Sequence, residues 1–101
     1  MNAIIIESLK EKIDLTADFF YKQKSKEGYQ VLISAIDALM AITAELKAAQ
    51  DNENTLEFHQ KLAVKLQEIT EAMLQKDTIL IADMMKYDIM ELLDELAEIE
   101  I

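Results

Sequence analysis

The chain has 101 residues, of which 20 are acidic and 10 are basic, and its formal net charge is -10. It contains no cysteine, and every basic residue is a lysine. The lack of cysteine excludes disulfides, thiol catalysis and cysteine-bound zinc. The negative charge and the lack of arginine argue against nucleic acid and anionic membranes as partners.

The length indicates one domain, and we predict that residues 1–101 form it. No apolar run approaches the ~18 residues that a membrane-spanning helix needs. The N-terminus lacks the basic stretch and long apolar region of a signal peptide. We therefore expect a cytoplasmic protein that does not interact with membranes, and nothing in the composition calls for a cofactor.

The fold class is predicted by the single glycine and the absence of proline. Average proteins contain about 7% glycine and about 5% proline, and sheet proteins need these residues at their turns. A chain with so few turn residues is expected to be all-α. Phosphate-binding loops, which need several glycines, are excluded on the same grounds.

The first predicted helix covers about residues 3–24. Its apolar residues recur every three or four positions, which places them on one face; they are Ile6, Leu9, Ile13, Ala17 and Phe20. Lys22 and Lys24 suit the negative end of a helix. Gly28, the only glycine, is the residue type that often follows such an end. We therefore predict that this helix ends near residues 25–28.

The second predicted helix has the most regular apolar repeat of the chain. Positions three and four apart form a heptad seam of Tyr29, Leu32, Ile36, Leu39, Thr43 and Leu46. Ile33 and Met40 are expected to widen this seam. The polar run at residues 50–54 predicts a loop, and Asn54 and Glu57 have the spacing of a capping box at the start of the next helix.

Two further helices complete the predicted fold. The third has an apolar seam of His59, Leu62, Leu66, Ile69 and Met73. Asp77 or Thr78 is predicted to cap the start of the fourth. Its first apolar stripe is Ala82, Met85, Ile89, Leu92, Leu96 and Ile99, and its second is Ile81, Met84, Met90 and Leu93. Because the linkers are short, consecutive helices must run in opposite directions. The sequence therefore predicts an antiparallel up-down four-helix bundle.

Three consecutive aromatic residues, Phe19, Phe20 and Tyr21, form a first candidate contact site. Consecutive helical residues are about 100° apart, so one apolar face cannot bury all three rings. At least one ring should stay partly exposed beside Lys22, unless it lies against a neighbouring helix. An aromatic patch with a polar rim is typical of protein–protein contact sites.

The last helix contains a competing candidate site. The final 25 residues hold eight acidic residues and one lysine, so this segment has a charge of -7. We include Tyr87, Asp88, Glu91 and Glu95 in this candidate site. Like charges three or four residues apart destabilise a helix, so we expect packing or a basic partner to offset the repulsion.

Two acidic pairs suggest an enzymatic alternative. One is Glu68 with Glu71, and the other is Glu91 with Asp94 in the last helix. Together the pairs resemble the motifs of MazG-type nucleotide pyrophosphohydrolases, which bind magnesium between two helices. However, such pairs are about as frequent here as chance predicts, and in an antiparallel hairpin these two are offset by about two turns. We therefore expect no catalytic and no metal-binding residues.

His59 is the only histidine, and a lone imidazole can serve as a metal ligand or a base. A di-iron bundle needs two Glu-x-x-His motifs, whereas the residue three positions before His59 is Leu56. We therefore interpret His59 as a residue at the edge of the core.

Residues 27–30 (EGYQ) and 76–96 (KDTILIADMMKYDIMELLDEL) resemble small helical proteins of Firmicutes bacteria. In those proteins a similar acidic and aromatic helix, with an Ala-Asp pair followed by a tyrosine, closes the chain. No activity is assigned to that family, so the resemblance implies none here. In length and helix number the chain is also similar to flagellar and secretion export chaperones.

These observations favour a non-enzymatic protein–protein interaction module, either an adaptor or a chaperone-like protein. Its partner would be another protein or a second copy of the chain. One alternative is the MazG-like hydrolase described above. Another is an acidic inhibitor or antitoxin that covers a basic surface with its last helix.

Overall fold

The computed structural model describes residues 3–49 and 53–98, and helices cover nearly all of them. Helix α1 is Ala3–Tyr21, α2 is Ser25–Ala49 and α3 is Glu53–Leu74. Helix α4, residues 78–98, has three consecutive parts: α-helical Thr78–Asp83, π-helical Met84–Ile89 and α-helical Met90–Glu98. No strand occurs in these two ranges, and the all-α prediction is confirmed.

Contacts between helices show that α1 runs opposite to α2 and to α4, and that α3 runs opposite to α4. Lys10, near the start of α1, pairs with Asp94 near the end of α4. Tyr21, at the end of α1, bonds to Asp83 near the start of α4. The same inverse order holds for Lys12–Ser34 and Phe20–Tyr29 between α1 and α2, and for Lys61–Glu95 and Lys65–Asp88 between α3 and α4.

Each helix has two neighbours in the bundle, but the contacts are unequal. Helix α1 packs closely against both α2 and α4, and α3 packs mainly against α4. Among the described residues, the contact between α2 and α3 is the smallest of the four. The bundle is therefore open along the α2–α3 edge, where a groove with a volume of about 450 Å³ lies between the two helices.

The buried side chains form one hydrophobic core. The predicted stripe of α1 is confirmed in full, since Ile6, Leu9, Ile13, Ala17 and Phe20 are all buried. Both predicted stripes of α4 face the core, and its buried residues are Ile81, Ala82, Met84, Met85, Ile89, Leu92, Leu93 and Leu96. Met90 is half-buried, and Ile99 lies outside the described residues. Helix α4 is thus the central element, on which α1 and α3 both pack.

The predicted seams of α2 and α3 face the core but are only partly buried. The side chain of Leu46 lies outside the described residues. In α2 the buried face is Leu32, Ala35, Leu39 and Ile42, whereas Tyr29, Ile36 and Thr43 are half-buried. In α3 it is Phe58, Leu62, Ile69 and Ala72, whereas His59, Leu66 and Met73 are half-buried. Ile33 and Met40 do not widen the seam, because they are 54% and 58% exposed. The cause is the open α2–α3 edge: each helix turns its apolar face toward its closer neighbour.

Helices α1 and α3 end in the same type of turn, in which a residue with left-handed backbone geometry follows the helix. Gln23 has φ 62° after α1, and Lys76 has φ 56° after α3. The Gln23 amide donates to the Phe20 carbonyl at 3.0 Å, and the Lys24 amide donates to the Phe19 carbonyl at 2.8 Å. These are the two hydrogen bonds of a Schellman motif, a geometry that usually requires glycine.

The predicted start of the fourth helix is confirmed, because the Asp77 side chain accepts a hydrogen bond from the Leu80 amide at 3.2 Å. This bond satisfies one of the free amides at the helix N-terminus. The predicted capping box of the third helix is wrong. Asn54 lies within α3, which begins at Glu53.

The prediction that Gly28 follows the end of the first helix, near residues 25–28, is also wrong. Helix α1 ends at Tyr21, and Gly28 is buried in the first turn of α2. A Cβ atom at this position would lie 2.8 Å from two ring carbons of Phe20. Glycine is therefore needed here for close packing of α1 and α2, and not for backbone freedom.

We expect Gly28→Ala to destabilise the protein by about 1–2 kcal/mol, because overpacking against a buried ring outweighs the helix preference of alanine. Urea unfolding followed by circular dichroism measures the change. The same substitution in a Phe20→Leu background should cost less, because the ring that it meets is gone. An equal cost in both backgrounds would contradict the packing explanation.

We expect Gln23→Gly to stabilise the protein by about 0.5–1 kcal/mol, because glycine adopts left-handed geometry without strain at Cβ. Gln67→Gly is the matched control, since Gln67 is exposed in the interior of α3. There the same change should destabilise by about 1 kcal/mol. Thermal melting should thus shift in opposite directions in the two variants. Destabilisation by both would show that Gln23 carries no strain.

Candidate functional site

The end of α1 and the π-helical part of α4 bring two tyrosines together on the surface. The Tyr21 hydroxyl donates a hydrogen bond to the Asp83 carboxylate. Lys86 Nζ lies 5.7 Å from the centre of the Tyr21 ring and 5.9 Å from the centre of the Tyr87 ring. Both distances allow cation–π attraction. We call Tyr21, Asp83, Lys86 and Tyr87 the tyrosine patch.

All four side chains of the tyrosine patch are exposed. Tyr21 is 38% exposed and Tyr87 is 61% exposed. Tyrosine is enriched in protein–protein interfaces, because its ring buries a large apolar area while its hydroxyl keeps a polar partner. The hydrogen bond to Asp83 orients the Tyr21 ring, and Lys86 Nζ lies between the two rings.

A π-helical segment, Met84–Ile89, lies beneath this patch. Ile81, Met85 and Ile89 are four residues apart, and all three are fully buried. Leu9, Ile13 and Ala17 have the same spacing and are buried in the regular α-helix α1, so the spacing alone does not require a π-helical turn. Such a turn, with i→i+5 hydrogen bonds, contains more residues than a turn of an α-helix. Segments of this kind occur frequently at functional sites.

A second surface lies between α3 and α4, where a groove has a volume of about 500 Å³. Its charged lining, which we call the charged groove, consists of Lys61, Lys65, Asp88, Glu91 and Glu95. Lys61 pairs with Glu95 at 3.2 Å, and Lys65 pairs with Asp88 at 3.2 Å. The hydrogen bond from Lys61 to Glu95 raises the pKa of this lysine. Each of these surface ion pairs contributes little stability.

Lysines from two helices offset the acidic charge of α4. On the other side of α4, Lys10 of α1 pairs with Asp94 at 2.6 Å, and this hydrogen bond raises the pKa of Lys10. At the charged groove, Lys61 and Lys65 of α3 pair with Glu95 and Asp88 of α4. The repulsion expected from the sequence is therefore relieved within the chain. In the part of the chain that the structure describes, no ion pair reaches Glu91.

The prediction that Phe20 belongs to the contact site is wrong. It is fully buried and packs edge-on against Tyr29, with 5.0 Å between the ring centres. It therefore belongs to the core and is not accessible to a partner. Phe19 is half-buried, and Lys22 pairs with Asp18 of its own helix at 2.9 Å.

The remaining predicted residues are distributed over two surfaces. Tyr21 and Tyr87, which the sequence analysis places in competing sites, lie in the same tyrosine patch. Asp88, Glu91 and Glu95 line the charged groove instead. It stays a prediction that these residues bind a partner.

Sequence reasoning missed Asp83 and Lys86. Lys86 is the only basic residue among the last 25, and it directly precedes Tyr87. That isolated cation beside an aromatic ring was a usable sign of a cation–π contact. Nothing in the sequence indicates that Asp83 bonds to Tyr21, because the contact depends on how α1 and α4 pack.

Two of the four acidic residues of the hydrolase alternative pair with lysines. Glu68 pairs with Lys65 at 3.1 Å, and Asp94 pairs with Lys10. Within residues 3–49 and 53–98, no three His, Asp or Glu side chains are placed to hold a metal ion. None of the helices in these ranges has both the length and the apolar content to cross a bilayer.

His59 lies at the edge of the core, in agreement with its interpretation from the sequence. It is half-buried, and its ring contacts Phe58 edge-on with 6.5 Å between the ring centres. Its Nε2 atom is buried and has no hydrogen-bond partner among the described residues.

A comparison with protein families identifies one match. Residues 5–99 match the family model described as a domain of unknown function (DUF8042). No curated protein and no solved structure shows a significant match. The matched region is much longer than the two segments on which the resemblance to small helical proteins was based.

The tyrosine patch predicts an unusual titration. The hydrogen bond to Asp83, together with partial burial and the negative charge of Asp83, raises the pKa of Tyr21 to about 12. The protonated hydroxyl therefore stabilises the fold. This contribution is complete below pH 10, the ordinary tyrosine pKa, and is lost as the pH rises from 10 toward 12.

Absorbance near 295 nm follows the ionisation of the three tyrosines, and the chain has no tryptophan to add to the signal. We expect a step near pH 12 that Tyr21→Phe removes and that Asp83→Ala moves toward pH 10. Circular dichroism of the same samples identifies the pH range in which the protein is folded. A wild-type titration that is unchanged by both substitutions would contradict the hydrogen bond.

Proposed function

The chain belongs to the DUF8042 family, and we propose that it is a non-enzymatic protein–protein interaction module of the cytoplasm. It would act as an adaptor or a chaperone-like protein, with the tyrosine patch as its contact surface. We also propose that this chain has relatives among the small helical proteins of Firmicutes bacteria. The observation that carries it is the pair of exposed tyrosine rings held around Lys86.

Preorganisation supports this choice of surface. Binding normally costs free energy for each flexible side chain that becomes ordered, about 0.5–1.5 kcal/mol. Tyr21 is already held by Asp83, and Lys86 already contacts both rings. Tyrosine is also one of the residue types on which binding energy concentrates in protein interfaces. The tyrosine patch thus combines a suitable residue type with a low cost of ordering.

The charge distribution favours the tyrosine patch over the acidic surface of α4. Lys10, Lys61 and Lys65 already pair with acidic residues of α4. A basic partner would have to compete with these lysines. An inhibitor or antitoxin that relies on the acidic helix is therefore the weaker proposal, and no contact described here favours the hydrolase.

The test is affinity capture from a lysate of the source organism, followed by calorimetry with the protein that is captured. We expect Tyr87→Ala to weaken binding about 30-fold, which corresponds to about 2 kcal/mol. Because Tyr87 is 61% exposed, this change should leave the melting temperature unchanged. Leu15→Ala is the matched control, since Leu15 is an exposed apolar side chain of α1 outside the patch, and it should not alter affinity.

Glu91→Lys tests the acidic alternative cleanly, because it reverses a charge without breaking an ion pair of the described structure. We expect little effect from this variant and little response to moderate salt. Binding that is lost in Glu91→Lys and in salt, but kept in Tyr87→Ala, would overturn the proposal in favour of the acidic surface.

A further inference from the structure

The two rings of the tyrosine patch share one cation, and this cation belongs to the chain itself. Lys86 Nζ lies 5.7 Å from the centre of the Tyr21 ring and 5.9 Å from the centre of the Tyr87 ring. The faces of aromatic rings carry partial negative charge, so two rings at these distances attract the same cation. The rings are therefore placed so that one positively charged group can contact both.

The carboxylate of the patch has no cation of its own. In the part of the chain that the structure describes, Asp83 belongs to none of the ion pairs, whereas three other acidic residues of α4 pair with lysines. Its Oδ1 atom accepts the hydrogen bond from the Tyr21 hydroxyl, which leaves Oδ2 for a further donor. Because Asp83 is exposed, a cation that enters the patch can reach a carboxylate as well as two rings.

We propose that the tyrosine patch binds an arginine side chain of the partner, which replaces Lys86 between the rings. This inference rests on the proposed function, because it names the chemistry that the partner brings to the same surface. The guanidinium group is planar, stacks on aromatic rings and is more weakly hydrated than an ammonium group. It has five N–H donors, so it can contact the rings and also pair with Asp83.

Lys86 holds its position only weakly. It is exposed, its distances to the rings are close to the limit of about 6 Å for cation–π attraction, and no ion pair of the described residues includes it. The lysines that face the rest of α4 are instead paired with carboxylates. A basic partner therefore meets less competition at the tyrosine patch than along the acidic surface of α4.

The composition of the chain supports the same choice of ligand. The formal net charge of -10 attracts a cationic segment as it approaches. The chain has no arginine, so it supplies no guanidinium group that could occupy the rings in place of the partner's.

Three peptides that differ in one residue test the proposal with the full chain. They are acetylated and amidated Gly-Ser-Gly-X-Gly-Ser-Gly, in which X is arginine, citrulline or lysine. We expect the arginine peptide to shift the ring resonances of Tyr21 and Tyr87 in NMR spectra, but not those of Tyr29, which is half-buried against Phe20. Citrulline has the shape of arginine without its charge, so that peptide should bind about tenfold more weakly. The lysine peptide should bind about threefold more weakly than the arginine peptide.

Variants of the chain identify the groups that bind the arginine peptide. Lys86→Ala should tighten binding about threefold, because it removes the competing cation. Lys24→Ala is the matched control, since it removes the same charge from an exposed lysine after α1 that makes no described cation–π contact, and it should change affinity less. Tyr87→Phe keeps the ring and should keep the affinity, whereas Tyr87→Leu and Asp83→Asn should each weaken binding about fivefold.

The inference is wrong if the citrulline peptide binds as tightly as the arginine peptide, if neither ring shifts, or if Lys86→Ala weakens binding. The proposed function fails separately. A captured partner that depends on Tyr87 but binds equally well when its arginines are replaced by glutamine would contradict only the inference. Arginine peptides that bind as expected, together with captured partners that ignore Tyr87→Ala, would contradict only the proposed function.

Discussion

The position of the tyrosine patch depends on where the Phe20 side chain lies in the core. Its ring is fully buried, packs edge-on against Tyr29, and occupies the space that a Cβ atom at Gly28 would need. This contact fixes the start of α2 against the end of α1. The next residue of a helix lies about 100° further round the axis. Burial of Phe20 therefore turns Tyr21 toward α4, where it meets Asp83, so the tyrosine patch is a consequence of a core contact.

The acidic composition of α4 is compatible with folding because its neighbours supply the cations. Lysine has a long apolar stem with a charge at its end, so it can pack along a helix and still reach an adjacent one. Lys10 reaches α4 from α1, and Lys61 and Lys65 reach it from α3. Each exposed pair is weak, but together they replace repulsion within α4 by attraction between helices. The same pairs favour the antiparallel order in which α1 and α3 lie on either side of α4.

The sequence was sufficient to predict the buried faces of α1 and α4, and it failed in part for α2 and α3. The difference is physical. Helix α4 has close neighbours on two sides and α1 packs tightly against α2 and α4, so their apolar periodicity coincides with what is buried. In the described part of the chain, α2 and α3 make a small contact, and residues such as Met40 that continue the periodicity are left exposed. Periodicity shows which face a helix would bury, but it does not show whether a neighbour covers that face.

The candidate site illustrates the same limit. Tyr21 and Tyr87 were predicted as contact residues from local composition, but in two competing sites. Their proximity depends on the packing of α1 against α4, which single residues do not reveal. Gly28 was misplaced for a similar reason. Glycine has two roles, backbone freedom and the absence of a side chain, and only the fold shows that the second applies beside Phe20.

The π-helical segment links the core to the proposed contact surface. Met85 and Ile89 of this segment are fully buried, as is Ile81 in the turn before it. In the same segment, Lys86 and Tyr87 are exposed beside Tyr21. A regular α-helix over these residues would keep a different set of side chains in the core and would alter the position of Lys86 relative to the two rings. The backbone geometry of this segment thus orients buried residues toward the core and Lys86 and Tyr87 toward the surface, so a substitution that changes it would alter both.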